Sequence, residues 1–172
     1  MQVEADAYWC LSRLIDSIQD HYTDAQPGIQ RMVFKLSHLV KRIDAALFAH
    51  LEEQGLQFIQ FAFRWMNCLL MRELSLDLIL RLWDTYLAEH GSSDDGALSD
   101  GFASLHVYVC AALLCDYYSK DLRKMEFQDL VMFLQHLPTS GWSEKDVAEL
   151  LSRAFIFKSS FHETPAHLTG GA

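Results

Sequence analysis

Four polar side chains recur within an otherwise apolar stretch of the chain. Gln57, Gln60, Arg64 and Asn67 follow one another at spacings of three, four and three, which places them on one face of a helix. The other positions of this stretch are largely apolar, as expected of a helix packed on several sides. The spacing therefore predicts a narrow polar stripe on a central helix, and these four residues are the candidates for contact with a partner.

Arg64 leaves two alternatives open, because a guanidinium carries five donors in a rigid fork and is rarely buried without carboxylate partners. It can pair with Glu73, Asp77 or Asp84 and tie neighbouring helices together, or it can belong to a surface that binds another protein. We favour the structural tie. Trp65 is expected to be a buried residue that anchors the core, because it combines a large apolar area with a single N–H donor.

No other group of residues predicts catalysis or metal binding. Asp94 and Asp95 fall in an acidic loop at residues 90–101, which contains nothing that could pack, and His162 and His167 fall at the C-terminal end, where residues 164–172 are expected to be a disordered tail. No phosphate-binding glycine motif occurs. We therefore expect no catalytic residue, no metal and no cofactor.

The remaining histidines and the cysteines are expected to be structural. His38 and His106 lie on otherwise apolar faces, so we expect satisfied core or boundary residues rather than ligands. The cysteines form no CxxC pair and lie in apolar helical runs, which predicts buried, reduced thiols and an intracellular protein. They are Cys10, Cys68, Cys110 and Cys115.

Composition narrows the class of protein. The 172 residues fit one domain, and 51% hydrophobic content argues for a filled core. A net charge of −9 argues against nucleic acid as the main partner and, more weakly, against a basic patch that docks on anionic lipid. No apolar run is long enough to cross a bilayer, so the window at residues 105–118 is expected to be a central core helix.

Apolar periodicity predicts an all-α fold of about seven or eight helices. The first presents Ala7, Leu11, Leu14, Ile18 and Tyr22 on one face, and the second buries a stripe from Ile29 to Leu47 and bends or restarts near Asp44. The remaining helices are expected at residues 56–74, 76–89, from 102 onward, 127–137 and from 143 onward.

The sequence predicts the buried residues of one later helix and the start of another. The helix at residues 76–89 is expected to bury Ile79, Trp83, Tyr86 and Leu87. The last helix has a start signal, because Ser143 can act as N-cap with Asp146 three residues on.

Three blocks of sequence resemble a known family. Phe63-Arg64-Trp65, Met71-Arg72-Glu73 and Arg81-Leu82-Trp83-Asp84 occur in the order and spacing typical of the C-terminal half of TBC domains. The resemblance extends over nearly the whole chain and is strongest to a Golgi-associated branch. It assigns Trp65, Arg72, Glu73, Arg81, Trp83 and Asp84 to the structural motif of the family, and it implies an activator of Rab-type small GTPases.

Both catalytic motifs of that family are absent from the chain. The resemblance implies an arginine from Ile-x-x-Asp-x-x-Arg and a glutamine from Tyr-x-Gln, and neither pattern occurs in these 172 residues. We therefore expect the C-terminal subdomain of a V-shaped domain, at residues 1–163, that is inactive alone. A helical scaffold or effector-type module without catalysis is the alternative.

The resemblance also implies partners and a location. The partners are a Rab-family GTPase and the N-terminal half of the same domain, and the subdomain interface is a surface through which the chain can self-associate. The implied location is cytoplasmic, peripheral at Golgi or other endomembranes. No nucleic acid and no transmembrane segment are expected.

Overall fold

All regular secondary structure in the described part of the chain is helical, which confirms the all-α prediction. The computed structural model describes residues 2–90 and 101–161; Asp94, Asp95, His162, His167 and the predicted tail lie outside these ranges. Nine α-helices occur within them: α1 (Gln2–Ile18), α2 (Pro27–Ile43), α3 (Ala45–Glu53), α4 (Ile59–Cys68), α5 (Leu76–His90), α6 (Gly101–Ala112), α7 (Ser119–Leu122), α8 (Phe127–Gln135) and α9 (Glu144–Phe161). A short 3₁₀ turn, Gln19–His21, follows α1, and a π-helical turn, Leu113–Tyr117, follows α6.

Helices α2 and α3 follow the expected apolar stripe, and the predicted restart falls at Asp44. Ile29, Leu36 and Val40 of α2 are fully buried, as is Leu47 of α3. Asp44 ends α2, and its Oδ1 accepts a hydrogen bond of 2.9 Å from the Leu47 N–H. This side-chain bond satisfies an N–H that the start of a helix leaves without an intrahelical partner. The backbone of Asp44 itself is non-helical, with φ of −136° and ψ of 80°, so α3 is a separate helix.

Helix α6 is the centre of the core, as its composition predicts. It packs against α2, α5 and α9, and every residue from Leu105 to Leu114 is buried. A helix that is apolar around its whole circumference is stable in water only when other helices cover all of its faces.

Helix α4 is shorter than the sequence predicts. It begins at Ile59 rather than at residue 56 and ends at Cys68 rather than at residue 74. Leu69 and Leu70 adopt left-handed backbone conformations, with φ of 50° and 62°, although no glycine or proline marks the break. Both leucine side chains are buried, and burial of this apolar area offsets the cost of the left-handed backbone.

Helix α5 differs from expectation at two positions and in its ion pairs. Trp83 is only half-buried. Ile79 and Tyr86 are buried as predicted, but Leu87 is 52% exposed, and Leu82 takes a core position instead. Arg81 donates to the Thr85 hydroxyl at 3.0 Å rather than forming the ion pairs that its spacing to Asp77 and Asp84 allows.

Helix α9 starts as predicted. The N–H and the hydroxyl of Ser143 both donate to Asp146 Oδ2, at 2.8 and 2.6 Å. These hydrogen bonds lower the pKa of Asp146. Leu150, Leu151 and Ala154 then continue the buried face of the helix.

Helix α1 presents apolar side chains to solvent. Tyr8, Trp9, Leu11 and Ile15 are between 42% and 66% exposed, whereas Ile18 is buried. Cys10 on the same helix is also exposed, so its predicted burial is wrong, while Cys110 is buried as expected; all four thiols are free. Large exposed apolar patches commonly mark surfaces that another protein covers.

Candidate functional site

Arg64 joins three separate segments of the fold. Its Nη2 lies 2.6 Å from Glu73 Oε1, and the same nitrogen donates to the backbone carbonyl of Gln135 at the end of α8. The Arg64 side chain is 25% exposed and that of Glu73 only 1%. Of the two alternatives from sequence, the structure therefore shows the tie between helices, with Glu73 as the carboxylate.

The left-handed break after α4 makes this pair possible. The chain reverses at Leu69 and Leu70, which returns Glu73 to the side of Arg64. Thr139 then donates through its hydroxyl to the Glu73 carbonyl, so the segment after α8 also holds this connection. Burial raises the pKa of the Glu73 carboxyl, while the Arg64 charge works in the opposite direction. Without Arg64, a carboxylate would be left buried without its counter-charge.

The other three residues of the polar stripe are arranged differently. Gln57 and Gln60 are exposed, and the Gln57 N–H donates to Gln60 Oε1 at 2.8 Å at the start of α4. Asn67 is half-buried, and its backbone carbonyl accepts a hydrogen bond from the Tyr22 hydroxyl at 3.5 Å. The stripe therefore offers two exposed glutamines at the start of α4 and a half-buried arginine that pairs with the buried Glu73.

The family-motif residues divide into core and surface. Trp65 is fully buried, as expected of a core anchor. Trp83 is half-buried, and its Nε1 donates to the Leu69 carbonyl at 3.1 Å, which holds the break after α4 against α5. Arg72, Arg81 and Asp84 are exposed.

His106 is a satisfied core histidine, as predicted. Its Nε2 lies 3.0 Å from the Trp65 carbonyl and its Nδ1 lies 3.0 Å from the Tyr86 hydroxyl. A carbonyl only accepts, so Nε2 carries the proton and Nδ1 accepts from Tyr86. Burial lowers the pKa of His106 to about 4, so the ring is neutral at physiological pH. By contrast, His38 is exposed and packs against Phe34, with ring centroids 4.3 Å apart and ring planes tilted by 52°.

A groove lies between α2, α3 and α4, and sequence reasoning did not find it. This α2–α4 groove has a volume of about 850 Å³ and is lined by Val33, Phe34, Phe48, Leu56, Ile59 and Phe63. Gln30, Glu52 and Gln57 add polar groups to its walls. The residues come from three helices and the connection between two of them, so no single sequence period reveals the groove.

No group of three or more His, Cys, Asp or Glu side chains is placed to hold a metal ion within residues 2–90 and 101–161. None of the helices in these ranges combines the length and the apolar character that a membrane span requires.

Comparison with known proteins relates this helical arrangement to one family. The sequence model of the Rab-GTPase-TBC domain matches residues 1–123. The chain is 55% identical over 166 residues to GTPase-activating protein gyp1 from Schizosaccharomyces pombe. It is 48% identical over 165 residues to TBC1 domain family member 22A from Homo sapiens. Each of these alignments covers 96% of this chain and 30% of the relative.

A solved structure shares the fold. The crystal structure of the Ypt/Rab-GAP domain of Gyp1p superposes with a TM-score of 0.83 at 49% identity. The alignment covers 92% of this chain and 46% of that domain. The chain thus spans less than half of the crystallised domain and about a third of the two relatives. Because the family model matches 123 of the 172 residues, the chain belongs to the Rab-GTPase-TBC domain family.

Proposed function

We propose that this chain is the supporting and GTPase-contacting half of an activator of Rab-type small GTPases. The observation that carries the proposal is the 49% identity over 92% of the chain to a Ypt/Rab-GAP domain. Relatives named GTPase-activating proteins favour this role over that of a helical scaffold.

The isolated chain does not accelerate hydrolysis. Neither Ile-x-x-Asp-x-x-Arg nor Tyr-x-Gln occurs in it. An arginine that stabilises the charge on the transferred phosphoryl group increases the rate roughly 10³- to 10⁵-fold. Binding alone does not replace that effect, since uniform binding of the GTPase leaves the chemical barrier unchanged.

The N-terminal half of the same domain packs on α1. The exposed Tyr8, Trp9, Leu11 and Ile15 supply the apolar area for that contact. In its absence the same face supports self-association of this chain. Light scattering tests this directly: we expect the mass to rise with concentration, and Trp9→Ser should reduce the rise. A monomeric chain at every concentration would contradict it.

Gln57 and Gln60 contact the GTPase, because they are exposed amides that can donate and accept hydrogen bonds. Asn67 belongs to the same stripe and adds to this contact. Arg64 acts indirectly by holding α4 in place through Glu73. The protein acts on the cytoplasmic side of Golgi or other endomembranes, as the resemblance implies.

The test is single-turnover GTP hydrolysis across a panel of Rab GTPases. Three samples are compared: this chain alone, the first half of the domain from the S. pombe relative alone, and a fusion of that half to this chain. We expect stimulation only by the fusion. Stimulation by this chain alone would contradict the assignment of catalysis to the other half, and an inactive fusion that folds normally would contradict the activator role.

A further inference from the structure

We propose that the outer face of α2 docks on a lipid bilayer that carries anionic headgroups. This α2 basic face consists of Arg31, Lys35, His38, Lys41 and Arg42. The proposal goes beyond the Rab-activator role and does not depend on it, because it rests on the charge and exposure of one helix.

Helix α2 contains no acidic residue. Between Pro27 and Ile43 it holds four of the chain's 14 Lys and Arg residues and none of its 23 Asp and Glu residues. Four or more such cations on an amphipathic helix are typical of anionic-lipid recognition. The net charge of −9 argues against such docking only as an average over the chain. Charges more than about 8 Å away are largely screened at physiological ionic strength, so the local distribution decides.

The residues of the α2 basic face lie on one side of the helix. Their positions are separated by four, three, three and one residues, which places them on a single helical face. Lys35 is half-buried and the others are exposed. From Arg31 to Arg42 the face extends about 16 Å along the helix axis. A flat surface can therefore contact the whole row.

The two cations at the end of α2 are available to a partner. Neither Lys41 nor Arg42 forms an ion pair with a residue of the ranges 2–90 and 101–161. Lys41 Nζ lies 5.2 Å from the centroid of the Phe48 ring, and the Arg42 guanidinium lies 5.1 Å from that of Phe161. A ring contact of this kind holds a cation in place without neutralising it.

The acidic residues near α2 are engaged or lie on another helix. Asp20 pairs with Arg31, so Arg31 contributes less positive charge than the other cations. Asp44 directly follows the helix, but its side chain is 17% exposed and accepts a hydrogen bond from the Ser119 hydroxyl. Glu52 lies on α3, across the α2–α4 groove. The end of α2 therefore keeps its positive charge.

An exposed aromatic ring lies among the cations. Phe34 is 67% exposed, and it lies three residues after Arg31 and four before His38. Helices that bind at the membrane interface combine Lys and Arg with Phe or Trp. The apolar stripe of α2 is buried in the core, so the helix itself does not insert. Phe34 alone enters the headgroup region, while the cations bind the headgroups.

A bilayer fits this face better than an acidic protein segment does. No Lys or Arg is among the described residues that line the α2–α4 groove, so an acidic segment seated there would miss the cations. Arg31 and Lys35 do line a cavity of about 170 Å³, which is smaller than the roughly 300 Å³ of ordinary ligand sites. A bilayer supplies negative charge along the whole row without a matching shape.

The experiment measures sedimentation of this chain with phosphatidylcholine vesicles that contain or lack phosphatidylserine. We expect binding only when phosphatidylserine is present, and added salt should weaken it. Each Lys or Arg near the surface increases affinity about fivefold, so Lys41→Gln/Arg42→Gln should weaken binding about 25-fold. Phe34→Ser should weaken it about fivefold. Lys41→Arg/Arg42→Lys keeps both charges and should bind like the original chain.

A matched variant controls for general loss of positive charge. Arg81→Gln/Lys145→Gln removes one Arg and one Lys from exposed positions on α5 and α9. We expect it to bind like the original chain, and circular dichroism shows whether each variant is folded. Absence of vesicle binding, equal binding without phosphatidylserine, no dependence on salt, or equal losses in the α2 and control variants would overturn the proposal. So would binding of a labelled oligo-glutamate peptide, dependent on Lys41 and Arg42, in place of vesicle binding.

Discussion

Replacing Arg64 with methionine should destabilise the fold far more than loss of a surface cation does. The Glu73 side chain is 1% exposed, and its nearest counter-charge is the Arg64 guanidinium at 2.6 Å. At an effective dielectric constant of about 20, two unit charges at that distance attract by roughly 6 kcal/mol. Much of this attraction offsets the loss of hydration of the buried carboxylate. We expect Arg64→Met to reduce the free energy of unfolding by about 3–5 kcal/mol near neutral pH.

The double variant separates the cost of an unpaired charge from the loss of Arg64 itself. In Arg64→Met/Glu73→Leu no carboxylate remains buried, so we expect recovery of about 2 kcal/mol or more relative to the single variant. Full recovery is not expected, since Arg64 also donates to the Gln135 carbonyl. One hydrogen bond of this kind contributes about 1 kcal/mol.

The deficit of Arg64→Met should depend on pH in a defined direction. Burial raises the pKa of Glu73 and Arg64 lowers it, so removing Arg64 raises that pKa further. A carboxyl whose pKa is raised by folding favours the folded state at low pH, and this contribution is lost as pH rises through the folded-state pKa. The loss of stability should therefore be smaller near about pH 5 than near about pH 8.

Urea denaturation followed by circular dichroism measures these free energies. Arg153→Met is the control, because the Arg153 side chain is 50% exposed and its Nε lies 3.9 Å from Asp116. We expect it to cost less than about 1 kcal/mol. If the single and double Arg64 variants were equally destabilised, or if the deficit did not change with pH, the buried-carboxylate explanation would be refuted.

Three other predictions follow from the core and the helix starts. Burial lowers the pKa of His106 to about 4. The stability that its neutral form contributes is therefore present above about pH 6.5 and is lost as pH falls toward 4. When the free energy of unfolding is measured against pH, the His106→Gln variant should lose less stability in acid than the original chain. Gly28→Ala should destabilise by about 1–3 kcal/mol, because an added Cβ would clash with Asp20 Oδ1. Thermal unfolding measures this, and an unchanged midpoint would show that Asp20 moves aside. Asp44→Ala should reduce the free energy of unfolding by about 1–2 kcal/mol through loss of the α3 cap. Asp44→Asn should retain most of that stability, because the asparagine side-chain oxygen can still accept from the Leu47 N–H. Urea titration compares the two variants, and equal losses would contradict a capping role.

Local features could be predicted from the sequence because they depend on residues close together in the chain. The restart at Asp44 and the start of α9 at Ser143 each involve hydrogen bonds over three residues. The buried stripe of α2 follows from helical periodicity. The motif blocks around Arg64, Glu73 and Trp83 were enough to indicate the family.

Features that depend on residues distant in the chain could not be predicted in the same way. Arg64 and its acceptor Gln135 are 71 positions apart, so spacing alone left the role of this arginine open. The left-handed backbone at Leu69 and Leu70 carries no glycine or proline signal, because tertiary burial and not local propensity stabilises it. The α2–α4 groove likewise exists only once three helices are packed together. Sequence determined the helices and their family, and packing decided which polar groups turn inward and which apolar groups remain in water.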